Sequence, residues 1–287
     1  MSILIDKDTK VLVQGVTGHQ GLFHTKAMIE LGTNVVAGVT PGKGGGVAAG
    51  VIVYNNVADA VKATGANSSV IFVPAPYTKD AAIEALDAGI KLIVIITEHV
   101  PFQDMISVKL YADLKGAMVI GPNCPGIAVP GFGKIGIIPN QILKKGEVGV
   151  ISRSGTLTYE IVNIISESDA GESVVCGIGG DKIPGTTFTE MLELLEKDPK
   201  TKKIVIVGEI GGTAEEEAAQ FIKNNVKKPT AAFIAGRFAP PGKRMGHAGA
   251  IISGSMGTAD SKIKMFEWAG TTVVKDFEDL RDFINKK

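Results

Sequence analysis

Cysteine is scarce in this 287-residue chain. Cys124 and Cys176 stand far apart and form neither a CxxC pair nor a secreted-type framework, which points to a reducing compartment. Net charge is also lacking. Thirty basic residues balance 30 acidic ones, so no field draws the chain onto nucleic acid or a membrane surface. Long hydrophobic runs are missing: stretches such as Leu92 to Ile96 are far too short to span a bilayer. The opening Met-Ser-Ile-Leu-Ile-Asp-Lys-Asp has neither the cationic nor the long apolar region of a signal peptide. A soluble, cytoplasmic protein is expected, with no nucleic acid or membrane as partner. GxSxG, HExxH and paired CxxC are absent, and no metal site is expected. Aromatic residues are few, whereas 45% of the chain is apolar and 36 residues are glycine. That composition suits short buried strands joined by glycine-rich loops, in a chain long enough for two domains with a core each.

The order of elements supports this. Lys10 to Gln14 reads as a buried strand, followed by the turn Gly15-Val16-Thr17-Gly18-His19-Gln20-Gly21 and a helix to about Leu31. A strand, a glycine turn and a helix make the anion-cradling unit of a Rossmann domain. The spacing here is GxxGxxG, not the dinucleotide GxGxxG. The second strand, Asn34 to Thr40, ends in Pro41-Gly42-Lys43-Gly44-Gly45-Gly46, without the acid that grips an adenosine ribose. A lysine on a glycine loop suits a phosphate-rich ligand or, more plainly, a solvated loop. No P-loop is formed, because no hydroxyl follows Lys43.

Strands at Ser69 to Val73, Lys91 to Thr97 and Ala117 to Ile120 then alternate with helices at Val57 to Thr64, Lys79 to Ala88 and Met105 to Lys115. Such alternation implies a parallel sheet with its ligand loops at the strands' C-terminal ends. Glu98 and His99 are adjacent in an extended segment, where neighbouring side chains point apart, so a cooperative dyad is not expected. Cys124 reads as a small buried thiol. Residues 121 to 146 are rich in Gly and Pro and mark the domain boundary, placed after residue 122.

A second α/β series begins with the strand Glu147 to Ile151, the turn Ser152-Arg153-Ser154-Gly155-Thr156 and the helix Leu157 to Ser166. Strands follow at Ser173 to Ile178, from Lys203 to Glu209, and at Thr230 to Ala235. Glu215-Glu216-Glu217 open a helix, where acids favour the macrodipole, and are read as that alone. Lys243-Arg244-Met245-Gly246-His247-Ala248-Gly249-Ala250 sets a histidine among small residues. Such a histidine can be a nucleophile, a general base or a solvated loop residue. Glu209 and His247 fall on loops at one edge of the second sheet. A carboxylate on one ring nitrogen fixes the tautomer and leaves the other nitrogen free to attack. Helix-start amides at Ser154, Gly155 and Thr156 stabilise a phosphoryl group carried there. A phosphohistidine carrier is permitted by these residues, not compelled.

Over almost its whole length the chain resembles the α subunit of succinyl-CoA synthetase (succinate–CoA ligase). The motifs that carry the resemblance are Gly15 to Gly21, Thr40 to Gly44, Val73-Pro74-Ala75-Pro76, Ile96-Thr97-Glu98, Gly121 to Gly126, Ser152 to Glu160, Gly208-Glu209-Ile210-Gly211-Gly212 and Gly246 to Ala250. The resemblance implies an α/β chain with a Rossmann-like CoA-binding domain, residues 1–122, followed by a flavodoxin-like ligase domain, residues 123–287, both with mainly parallel sheets. It implies that His247 is phosphorylated, by analogy on Nε2, that Glu209 orients it, and that Ser154, Gly155 and Thr156 face the phosphoryl group. Thr17, Gly18, His19, Gln20, Lys43, Ile96, Thr97 and Glu98 match the coenzyme A contacts, and Tyr159 a residue near the carboxylic acid. His19 departs from the family, which has a small hydroxyl residue there; backbone contacts need not change, but that side chain's part in binding CoA is open.

The implied reaction moves phosphate from a nucleoside triphosphate to His247 and on to succinate, and CoA then displaces it, reversibly, as in the tricarboxylic acid cycle. The nucleotide and Mg2+ belong to a separate β subunit, in an αβ or α2β2 assembly. An α-type subunit of a related ADP-forming ligase for malate or another acid, and a CoA-binding module without chemistry, stay open as alternatives.

Overall fold

The structure, a computed structural model, describes residues 4–168, 170–240, 245–247, 249–252 and 257–286. The chain divides into two compact units, Met1–Asn140 with Ile183–Gly185 and Gln141–Lys182 with Thr186–Lys287.

The first unit runs β1 (Val11–Gln14), α1 (His19–Glu30), β2 (Val35–Val39), β3 (Val47–Ala48), β4 (Val51–Tyr54), α2 (Val57–Thr64), β5 (Ser68–Ile71), α3 (Ala75–Asp87), β6 (Leu92–Ile95), α4 (Phe102–Lys115), β7 (Met118–Ile120), β8 (Gly126–Val129) and β9 (Gly133–Gly136). Its sheet has the order β3-β4-β2-β1-β5-β6-β7. All pairings are parallel except β3 on β4. With β3 set aside, this is the doubly wound dinucleotide-fold order, whose reversal lies between β1 and β5. Buried strands, all four residues of β1, β5 and β6 being buried, suit a sheet covered by helices on both faces. In register, Gln14 pairs with Val39 and Ile71, and Ile71 with Ile95. The loops after these strands therefore open on one edge.

Three local features differ from the sequence reading. The glycine loop after β2 leads into the short β3–β4 pair, which carried no alternation long enough to notice. Helix α3 starts at Ala75, not Lys79, with proline in its first turn; the missing amide costs nothing there because first-turn amides have no intrahelical acceptor. The stretch taken as a domain boundary contains the antiparallel β8–β9 hairpin, which groups with the first unit.

The second unit contains β10 (Lys145–Ser152), α5 (Gly155–Glu167), β11 (Glu172–Gly177), α6 (Phe188–Lys197), β12 (Lys203–Glu209), α7 (Ala214–Asn225), β13 (Thr230–Ala235), α8 (Ala259–Ala269), β14 (Thr272–Val274) and α9 (Phe277–Asn285). Its parallel strands lie in the order β14-β13-β12-β10-β11. That is the flavodoxin-like order, with the reversal between β10 and β12. Ser152 pairs with Gly177 and Val207, and Glu209 with Ala235, so the loops beyond these residues share one edge.

Candidate active site

His247 sits at that edge. Its Nδ1 lies 2.9 and 2.8 Å from the two carboxylate oxygens of Glu209. A carboxylate only accepts, so Nδ1 carries the proton and Nε2 is left with the lone pair when the ring is neutral. The ring also packs against Gly180, in the loop after β11: a Cβ there would lie 2.2 Å from Nδ1 and 2.3 Å from Cγ. The imidazole is thus held between the loop after β11 and the end of β12. Strand β10 lies between those two in the sheet, so the ring stands over the end of β10, where α5 begins.

That helix start is built to meet an anion. Ser154 is its N-cap, and its hydroxyl accepts from Leu157 N–H at 3.3 Å. The amides of Gly155 and Thr156 have no acceptor within the helix, and a Cβ on Gly155 would meet nothing within 4 Å. Backbone amides and the helix dipole face open space at the sheet's topological switch point. Tyr159 is half-buried one turn further on. The hydrogen bond to Glu209 raises the His247 pKa above the usual 6.5; burial opposes it, the charges of Glu209 and Asp181 add to the rise, and Arg153 detracts.

Beneath Glu209 lies a cluster the sequence did not announce. Glu215, read from sequence as a helix-dipole acid and nothing more, is fully buried. Its carboxylate accepts from Arg153 Nη1 at 2.9 and 3.2 Å, from the Glu209 backbone N–H at 3.0 Å, and from Lys262 Nζ. Lys262 also donates to the carbonyls of Glu209 (2.8 Å) and Gly211 (2.7 Å). The first turn of α7 packs inward here, and only tertiary contacts distinguish Glu215 from its exposed neighbour Glu217. Of the histidine stretch, Lys243, Arg244 and Ala248 lie outside the described residues.

In the first unit, Thr17, Gly18, His19 and Gln20 are exposed where β1 turns into α1. Gly18 caps α1 without a side-chain hydrogen bond, so the helix-start amides face outward. Gly21 lets α1 approach the turn closely, since a Cβ there would fall 2.2 Å from Gly15 O. Lys43 is exposed on the loop after β2, and Cβ atoms at Gly42 or Gly45 would meet nothing within 4 Å, which leaves room for a ligand's phosphates beside the lysine. Asn55, unremarked in the sequence, fixes that loop by accepting from Gly44 N–H at 2.9 Å. Thr17 Oγ1 donates to Thr40 Oγ1 at 3.2 Å, and Thr97 Oγ1 to Val73 O at 2.7 Å. Ile96 and Thr97 are half-buried and Glu98 is exposed. The contact between Glu98 and His99 is long, 3.9 Å between two exposed side chains. Cys124 is buried, and its thiol donates to Ile95 O at 3.2 Å. Among the described residues no cluster of three or more His, Cys, Asp or Glu is arranged to hold a metal ion, and no helix is long and apolar enough to cross a membrane.

Comparison with known proteins agrees with this division. The sequence profile of the CoA binding domain matches residues 6–99, and that of CoA-ligase residues 151–272. The succinate–CoA ligase [ADP-forming] subunit alpha of Staphylococcus epidermidis (strain ATCC 35984) is 56% identical over 94% of this chain and 89% of its own length. The Aquifex aeolicus protein of the same name is 55% identical over 100% of this chain and 94% of its own.

The chain belongs to the succinate–CoA ligase α-subunit family.

As a family member it is one subunit of an acid–thiol ligase, with a CoA-binding domain preceding the ligase domain. The ATP citrate lyase of Methanosaeta concilii, solved with (3S)-citryl-CoA, superposes on 99% of the chain with a TM-score of 0.89 at 27% identity. This chain spans half the length of that lyase chain, so the likeness bears on the shared architecture and not on the lyase reaction.

Proposed function

We propose that His247 is the phosphoryl carrier of a succinate–CoA ligase and that the reaction runs through its Nε2. The observation that carries this reading is the paired contact of Glu209 with Nδ1, at 2.9 and 2.8 Å, which leaves Nε2 as the nucleophile. Nε2 takes the γ-phosphoryl group of a nucleoside triphosphate as the bond to the diphosphate breaks. The amides of Gly155 and Thr156, with Ser154 capping their helix, stabilise the charge on the transferred group. Glu209 stabilises the imidazolium character that develops as the N–P bond forms. A succinate carboxylate then takes the phosphoryl group from Nε2, restoring the neutral ring, and the CoA thiol displaces phosphate from the acyl carbon. Tyr159 lies on the acid's side of this site.

Residues 1–122 serve coenzyme A and residues 123–287 the phosphohistidine. Thr17, Gly18, His19 and Gln20 at the start of α1, Lys43 on its glycine loop, and Ile96, Thr97 and Glu98 after β6 are the CoA contacts. The nucleoside triphosphate and its Mg2+ bind on a partner β subunit, in an αβ or α2β2 complex in the cytoplasm, where the enzyme serves the tricarboxylic acid cycle.

The test is intact mass and peptide mapping of the chain, co-expressed with its β partner, after incubation with ATP or GTP and Mg2+. One acid-labile phosphoryl group on His247, discharged by succinate plus CoA, is the expected result. An intact complex that takes no phosphoryl group from either nucleotide refutes the carrier mechanism.

A further inference from the structure

The cluster beneath Glu209 has two cations and two carboxylates, Arg153, Lys262, Glu209 and Glu215, all at most 7% exposed. Removing one member of such a set leaves a buried charge unpaired, which is why balanced sets persist or fail as a unit. Within it the two cations have different tasks. Lys262 spends its three donors on Glu215 and on the carbonyls of Glu209 and Gly211; it pins the backbone at the end of β12. Arg153 Nη1 binds Glu215 and Gly211 O, while its Nη2 stands 3.4 Å from Glu209 Oε1. Oε1 is also within 2.9 Å of His247 Nδ1. One carboxylate oxygen is therefore shared between the guanidinium and the imidazole.

We propose that Arg153 is a positioning residue for phosphoryl transfer: by holding Glu209 in ionic contact, it limits how strongly the carboxylate retains a proton on His247 and so keeps Nε2 open as a nucleophile near neutral pH. The proposal rests on the carrier role of His247 and adds the element that tunes it. A carboxylate facing an imidazole does two opposed things. It orients the ring and stabilises the phosphorylated cation, but it also favours the doubly protonated ring, which has no lone pair to attack with. A cation on the far side of the same carboxylate weakens the second effect and, through its link to Glu215, preserves the first. Among the described residues, the other charges around the pair are Asp181 after β11, Glu215 and Glu216 on α7, and Lys262 on α8. Asp181 favours protonation of the ring, as Glu209 does. Arg153 is the cation that opposes them. Burial by itself lowers the pKa of the guanidinium, but Glu215 and Glu209 outweigh that and hold it above the usual value, so its charge is permanent.

The test follows the two ring nitrogens of His247 by 15N NMR across a pH titration of the full chain, with His247→Asn assigning the signal. In Arg153→Met the protonation midpoint moves up by about one pH unit, the size expected for loss of a nearby charge; Arg153→Lys moves it by much less. With the β partner present, the acid limb of the single-turnover phosphorylation rate moves by the same amount, whether or not the plateau at high pH falls. A residue that only supports the fold would lower the plateau without moving the midpoint. That result, or an unmoved midpoint in Arg153→Met, overturns the proposal. If Arg153→Met does not fold, Arg153→Met with Glu215→Gln removes one charge of each sign and is read instead: a smaller upward movement is expected, and none overturns the proposal. A wild-type complex that takes no phosphoryl group refutes the carrier reading itself, whereas a phosphorylated wild type with an unmoved midpoint in the variant refutes only the role of Arg153.

Discussion

His247 is set by two contacts to its ring, and the less conspicuous of the two is a missing side chain. Glu209 fixes Nδ1 by hydrogen bonding; Gly180 lets the ring pack where a Cβ would leave no room for it. A methyl at Gly180 would overlap Nδ1 and Cγ, at 2.2 and 2.3 Å, and the close contact is to a ring already tied to a buried carboxylate. Gly180→Ala is therefore expected to displace the imidazole from its place over α5. Single-turnover phosphorylation of His247 should fall by about 100-fold, the usual cost of an ångström of misplacement, while CoA affinity stays unchanged. Wild-type phosphorylation in Gly180→Ala would show that the ring has another stable seat. The raised pKa of His247 adds a sign that can be checked. Nε2 attacks only when the ring is neutral, so phosphorylation should rise with pH through a midpoint above the ordinary 6.5.

At the scale of elements, the N-terminal edge of the second sheet holds a pH-sensitive support for the fold. Glu172, the first residue of β11, is fully buried. It accepts from Lys144 N–H at 2.9 Å and from Ser166 Oγ at 2.9 Å. Both bonds favour the charged form, yet burial prevails and raises the carboxyl to about 7 from an ordinary 4.5. The native state thus holds this proton more tightly than the unfolded chain does. The stabilisation is complete below pH 4.5 and is lost as pH rises through about 7, by up to about 3 kcal/mol from linkage. Urea midpoints measured across this window should fall for the wild type and change less in Glu172→Gln. Equal slopes for the two proteins would remove Glu172 as the cause. Helix α5 shows the same dependence of an element on its surroundings. Its sequence predicts a helix that starts near Ser154 to Thr156, but the use of its first amides follows from β10 lying at the reversal of strand order.

In each unit the candidate residues lie at the C-terminal edge of a run of parallel strands. The proposed CoA contacts belong to the first unit and the proposed phosphoryl carrier to the second. His247→Asn should then abolish phosphorylation and turnover while CoA affinity stays within about twofold, too small a change to signal a lost contact. Lys43→Ala should do the reverse: weaker CoA binding at low salt, and His247 still phosphorylated. If CoA affinity is unchanged in Lys43→Ala, the lysine is a solvated loop residue, the plainer of the two readings open from sequence.

Sequence alone determined the alternation of strands and helices, the glycine turns after β1 and β2, and the presence of Glu209 and His247 beyond neighbouring strands. These rest on local chemistry: apolar runs that must be buried, and turns and helix starts that need Gly, Ser or Thr. Strand order, and with it the two switch points, was decided by tertiary structure. So were the inward turn of Glu215, the pairing of Arg153 and Lys262 around it, the closeness of Gly180 to the imidazole, and the β3–β4 and β8–β9 pairs. Each depends on which segments, distant in the chain, come to share a buried space. A glutamate in a helix's first turn reads the same whether it faces solvent or a guanidinium, because its local propensity is identical; desolvation and the partner across the fold give it a role.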